Sequence, residues 1–141
     1  MPFTFRERIL DMLDFVKNQA SFIEKTTAQV KSADDFMLDP AGVVLYNSTC
    51  MCLQTIGETL KKVDALTKQN FLMPFYPQVP WRGVFGLRNI IAHEYENTEP
   101  EEIYHIIKSE LPELYRSVLK IIDDITNGVH DAFWTSIGER S

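Results

Sequence analysis

Asp39-Pro40-Ala41-Gly42-Val43-Val44-Leu45-Tyr46-Asn47-Ser48-Thr49-Cys50-Met51-Cys52-Leu53-Gln54-Thr55-Ile56-Gly57-Glu58-Thr59-Leu60-Lys61-Lys62-Val63 is the stretch that decides the fold. Asp39 offers a side-chain acceptor at a helix cap, and Pro40 suits the first turn, where a backbone donor is not needed. From Val43 to Val63, apolar residues fall on most faces of a helix: Val44, Leu45, Tyr46, Met51, Leu53, Ile56 and Leu60. Such a helix is expected to be central and buried. Gly57 costs helix stability in its interior, so a neighbouring helix should approach closely there. Glu58 beside it is the odd charge on the segment.

Both sides of this stretch also read as helix, and neither shows the sustained alternation or the paired-run hairpin turns of strands. Upstream, Thr4-x-x-Glu7 is a plausible capping box. Ile9, Met12, Leu13, Val16, Ala20 and Ile23 then recur at three- and four-residue spacing, predicting a helix to about Val30, which Ser32-Ala33-Asp34-Asp35 interrupts. Downstream, Phe71 to Pro80 is a proline-punctuated linker with enough aromatic residues to pack on the core. A third helix is expected from Trp81 to about Glu96. Thr98-x-x-Glu101, with Pro100 between, predicts a second capping box. Ile103, Ile106 and Ile107 form a short helix that Pro112 should kink or restart. Leu114, Val118, Ile121, Ile122 and Ile125 carry it to a glycine stop at Gly128. The segment 129–141 holds Phe133 and Trp134 but no clear period. The expectation is an all-α, up-down bundle of four to five helices in residues 1–128, followed by a tail.

The chain has 141 residues, net charge −6 and a pI near 5.0. That balance argues against a general nucleic-acid binder, which usually carries a basic face, but it leaves room for a site gripping one or two phosphates. No apolar run approaches the ~20 residues that span a bilayer, and the N-terminus lacks the apolar core of a signal peptide, so a cytoplasmic protein without a membrane is expected. Cys50 and Cys52, two apart on a helix, point away from each other. They are too few for zinc and are expected to be core filler.

The segment Gly86-Leu87-Arg88-Asn89-Ile90-Ile91-Ala92-His93-Glu94-Tyr95 concentrates the chemistry. Arg88 can neutralise a phosphate, and His93 can move a proton near pH 7. On a helix Arg88 and Tyr95, seven apart, fall nearly in line, and Asn89 can touch His93. Arg88 and His93 lie about 140° apart around the axis. One helix does not easily aim both at one substrate, whereas two copies facing across a two-fold axis could. The chemistry such a cleft supports is transesterification of RNA: His93 takes a 2′-hydroxyl proton and Arg88 stabilises charge at phosphorus. Asn89 would hold the imidazole tautomer or a phosphate oxygen. His93, His105 and His130 share no metal-ligand spacing. Each residue also has a plainer use: a packed histidine, a surface ion pair for the arginine, a core tyrosine, and Glu58 as an internal partner for an arginine.

The chain resembles the HepT-type proteins of the HEPN superfamily (higher eukaryotes and prokaryotes nucleotide-binding domain). The match is carried by Val44-Leu45-Tyr46 with Leu53-Gln54-Thr55-Ile56-Gly57-Glu58, by Pro80-Trp81-Arg82, by the Arg88-x4-His93-x-Tyr95 box, and by Ile106 to Leu114. The resemblance implies an α-helical homodimer, joined through the helices that carry the box, acting as a metal-independent endoribonuclease. It makes Arg88 and His93 catalytic, and Asn89 and Glu58 are expected to support them. It also implies a toxin paired with a minimal nucleotidyltransferase antitoxin, which uses ATP and magnesium to place AMP on Tyr95. The attached nucleotide would crowd the cleft and add negative charge where RNA phosphate binds. The alternative is a non-catalytic subunit that presents nucleotide or substrate to a nucleotidyltransferase.

Overall fold

The computed structural model describes residues 4–87, 91 and 99–140, the side chains of 139 and 140 excepted. Within them the chain is all-α, with no strand. The elements are α1 (Phe5–Thr26), a 3-10 turn (Ala33–Phe36), α2 (Pro40–Leu66), α3 (Leu72–Phe75), α4 (Trp81–Phe85), α5 (Pro100–His105), a π-helical turn (Ile106–Glu110), α6 (Leu111–Thr126) and α7 (Asp131–Arg140).

Helix α1 begins where the sequence places it, with the Thr4 hydroxyl accepting from the Glu7 amide at 3.1 Å. It stops at Thr26 rather than near Val30. There the hydroxyls of Thr26 and Thr27 bond back to the carbonyls of Phe22 and Ile23, and such back-bonds compete with continued helix. The periodic residues Ile9, Leu13, Val16, Ala20 and Ile23 are all buried. Arg6 donates to the Ile125 carbonyl at 3.0 Å and Lys108 donates to the Thr27 carbonyl at 3.1 Å. These two bonds fix opposite ends and make α1 antiparallel to α6.

Helix α2 starts as expected. Pro40 is in its first turn, and the Asp39 carboxylate accepts from the Gly42 amide at 2.7 Å. Its burial differs from the expectation of a helix enclosed all round. Tyr46, Cys50, Leu53, Ile56, Leu60 and Val63 enter the core, while Val44 and Met51 are 67% and 70% exposed. Among the described elements α1 is the helix packed against both α2 and α6. The apolar count identified a core helix but could not say which side would face out. Gly57 is buried, in keeping with a close neighbour, and a tight backbone approach is also found at Gly42. A Cβ there would sit 2.5 Å from the Asp35 carbonyl oxygen. Cys50 is buried and Cys52 half-buried, and both are free thiols. Burial pushes both thiols above their ordinary range, with hydrogen bonds to Tyr46 and Ser48 pulling the other way.

The third helix is broken where a single one was expected. Helix α4 ends at Phe85, and the Gly86 amide closes it onto the Arg82 carbonyl. Helical conformation is present again at Leu87 and Ile91, which are both buried. At the next boundary Glu99, not Thr98, occupies the cap of α5, and no side chain caps that helix. Thr98 lies outside the described residues. Pro112 does restart the helix. The π-helical turn precedes it, the Leu111 amide reaching back five residues to the Ile106 carbonyl, and α6 then starts with proline in its first turn.

Residues 131–140, without a clear period in the sequence, form α7. It folds back on the linker, with Trp134 and Phe133 against Phe71 at 5.0 and 5.3 Å between ring centroids, and Trp134 6.1 Å from Phe5. The linker packs as expected: Phe71 and Leu72 are fully buried, and Trp81 donates its indole proton to the Tyr76 carbonyl.

Candidate functional site

Arg88, Asn89, His93 and Tyr95 lie outside the described residues. What the structure fixes is the approach to them. Leu87 and Ile91, four apart, are buried anchors on the segment that bears the box, and the Gly86 turn separates that segment from α4. Glu58 is exposed on α2 and accepts from Gln54 at 3.4 Å. Val44, Met51 and Glu58 are seven apart in turn, so one stripe of α2 carries two exposed apolar side chains and the carboxylate.

A second polar group escaped the sequence. The Tyr76 hydroxyl lies 2.8 Å from Asp124 Oδ2 and 2.7 Å from His130 Nε2. The phenol has one proton, and an ionised carboxylate can only accept. Tyr76 therefore donates to Asp124, and His130 donates to Tyr76 from Nε2. The imidazole is buried between aromatic rings, 4.8 Å from Phe71 and 4.6 Å from Phe75. Burial lowers its pKa, against a smaller opposing pull from Asp124. Burial and the Asp124 bond raise the Tyr76 pKa strongly. Asp124 feels burial upward, but bonds from Lys120 and Tyr76 leave it below its usual range. Separations of 48 and 54 residues left no spacing signal.

The linkage follows from these directions. A base whose folded pKa is depressed takes up protons more readily when unfolded, so stability falls as pH drops below about 6.5. An acid whose folded pKa is raised keeps its proton while the unfolded chain loses it, so stability falls again above about pH 10. Urea midpoints between pH 5.5 and 8 are expected to rise with pH in the parent. That rise should shrink in His130→Asn. An unchanged slope in the variant would show that His130 is not its source.

A cavity of about 520 Å³ opens between the linker and α4 on one side and α5, the π-helical turn and α6 on the other. Leu53, Val79, Val84, Leu87, Ile106 and Leu114 give it apolar walls. Glu102, Glu110 and Glu113 stand exposed at its edge, with His105. A shallower groove continues from Gln78 and Ser117 to Arg116 and Lys120, where the lysine is paired with Asp124 at 2.9 Å. Among the described residues no helix is long and apolar enough to cross a membrane, and no three metal-binding side chains cluster.

Comparison with known proteins places this frame. The family model described as Ribonuclease HepT-like matches residues 16–121, from the middle of α1 into α6 and across the box. A candidate RNase of Caldanaerobacter subterraneus subsp. tengcongensis is 28% identical over 86% of this chain and 94% of its own length. A candidate RNase of Methanocaldococcus jannaschii is 28% identical over 81% of this chain and 86% of its own. The probable ribonuclease HepT of Thermococcus cleftensis is 23% identical over 74% of this chain and 86% of its own. No solved structure matches with significance. With three-quarters of its length inside that model and the Arg88-x4-His93 box within the match, the chain belongs to the HepT-like ribonuclease family of RNA-cleaving enzymes.

Proposed function

We propose that this chain is a metal-independent endoribonuclease toxin of a toxin–antitoxin pair, working at a homodimer cleft. The observation that carries the reading is the family match running through the Arg88-x4-His93-x-Tyr95 box. Neutral His93 takes the proton of an RNA 2′-hydroxyl, whose oxygen attacks the adjacent phosphorus while the 5′-oxygen leaves and is protonated. The products are a 2′,3′-cyclic phosphate and a 5′-hydroxyl. Arg88 stabilises the charge that builds on the phosphoryl oxygens, and Asn89 orients the imidazole or a phosphate oxygen. The exposed Val44–Met51 stripe supports a second copy on α2, which would bring Glu58 to the interface. A minimal nucleotidyltransferase partner, using ATP and magnesium, would silence the site by adding AMP to Tyr95.

The test is cleavage of a labelled RNA in EDTA, after mass spectrometry has excluded AMP on Tyr95. The parent is expected to leave cyclic phosphate ends. His93→Ala should lose about 10²–10⁴-fold, and Arg88→Ala about 10²–10³-fold, with helicity and oligomeric state kept. An unmodified, dimeric parent that does not cleave would sink the toxin reading in favour of a nucleotide-presenting subunit.

A further inference from the structure

The cavity beside α4 is lined by residues to which the RNA chemistry above assigns no role. Among the described residues its walls are apolar, and the side chains at its edge carry negative charge at Glu102, Glu110 and Glu113. A phosphate there would meet three like charges. Arg116 and Lys120 lie further along the groove, and Lys120 is already committed to Asp124. The second copy invoked above is seated on the exposed Val44–Met51 stripe of α2, not on this cavity. The complementary occupant is a segment with a bulky apolar anchor for the walls and cations on either side for the glutamates.

We propose that this cavity docks a basic segment of a partner protein, an apolar anchor entering between Val84, Leu87, Ile106 and Leu114 while flanking lysines or arginines pair with Glu102, Glu110 and Glu113. The site does not depend on RNA cleavage by Arg88 and His93. Its position gives it a bearing on that activity, since Leu87 forms part of the wall and Arg88 is the next residue.

The probe is a fluorescein-labelled hexapeptide with Trp-Leu between two pairs of lysines, read by anisotropy on the full chain. Binding is expected, and the Glu102→Gln/Glu110→Gln/Glu113→Gln variant should weaken it by about tenfold or more. The control Asp11→Asn/Glu24→Gln/Asp34→Asn removes as many charges from positions that do not line the cavity, and should change binding less than about twofold. Gly83→Trp tests the walls without touching charge. A Cβ on Gly83 has no atom within 4 Å, so the indole fits at the mouth and should block the peptide. No binding by the parent, equal weakening in the two triple variants, or full binding by a folded Gly83→Trp would each overturn the proposal. So would displacement of the peptide by an RNA oligonucleotide whose own binding is lost in Arg116→Ala/Lys120→Ala. RNA cleavage, measured separately, can fail without affecting any of these outcomes.

Discussion

A chain ending at Gly128 is expected to lose roughly 4 kcal/mol or more of folding stability and to unfold near ambient temperature. Truncating a buried tryptophan alone typically costs about 3–5 kcal/mol, and this deletion removes Trp134, Phe133, Ile137 and His130 together. Trp134 is 8% exposed, and Phe71, on which it rests, is completely buried. Without α7 the faces of Phe71 and Tyr76 meet water, and the Tyr76 hydroxyl loses its imidazole donor. Whole-domain stabilities are about 5–15 kcal/mol, so the loss is a large share. Urea unfolding followed by circular dichroism reads it, and Trp134→Ala should reproduce most of it. A truncated chain with an unchanged midpoint would mean that α7 is an appendage.

The second large effect belongs to Gly42. Its would-be Cβ lies 2.5 Å from the Asp35 carbonyl oxygen, 3.0 Å from that of Phe36 and 3.2 Å from the Phe36 carbonyl carbon. These are backbone atoms of the 3-10 turn. That turn is held in place by Asp35 Oδ2 accepting from the amides of Lys31 and Ser32 and by Phe36 packing edge-on to Tyr46. Alanine normally gains about 1 kcal/mol over glycine inside a helix. Here overpacking should reverse the sign and cost about 1–3 kcal/mol, with Gly42→Val costing more. Gly83→Ala is the matched control: nothing lies within 4 Å of its Cβ, so it should be neutral or stabilising. If both alanine variants shift the thermal midpoint equally, the contact at Gly42 is softer than its geometry implies.

What the sequence made legible and what it hid have physical causes. Helix positions came through because three- and four-residue apolar spacing reports burial directly, as at Ile9, Leu13 and Val16 in α1 and Leu114, Val118 and Ile121 in α6. Asp39-Pro40 and Pro112 were equally readable, because proline constrains its own turn. The orientation of α2 was not, since a helix apolar on most sides carries little information about which side faces out. Gly42, near the start of the same helix, gave no sign of the backbone that presses on it, because only tertiary structure supplies that neighbour. The two aromatic residues of α7 gave no period, and their role depends on a linker some sixty residues upstream. For the site, the Arg88-x4-His93-x-Tyr95 box was visible because its members are local. The Tyr76–Asp124–His130 group and the glutamate-edged cavity were invisible because their members meet only through folding.

The π-helical turn sets the phase of everything that follows it. Ile103, Ile107 and Leu111 are spaced four and four, and an unbroken α-helix would carry the third about 80° around the axis from the first. The wider turn between them absorbs that drift, so all three remain buried and Ile106 is left to face the cavity. Its length therefore acts as a rotary index for α6. Deleting one residue between Ile106 and Glu110 would turn Leu114, Val118 and Ile121 out of register with α1 and carry Asp124 away from Tyr76. The chain can tolerate substitutions on the exposed side of this turn far more readily than a change in its count.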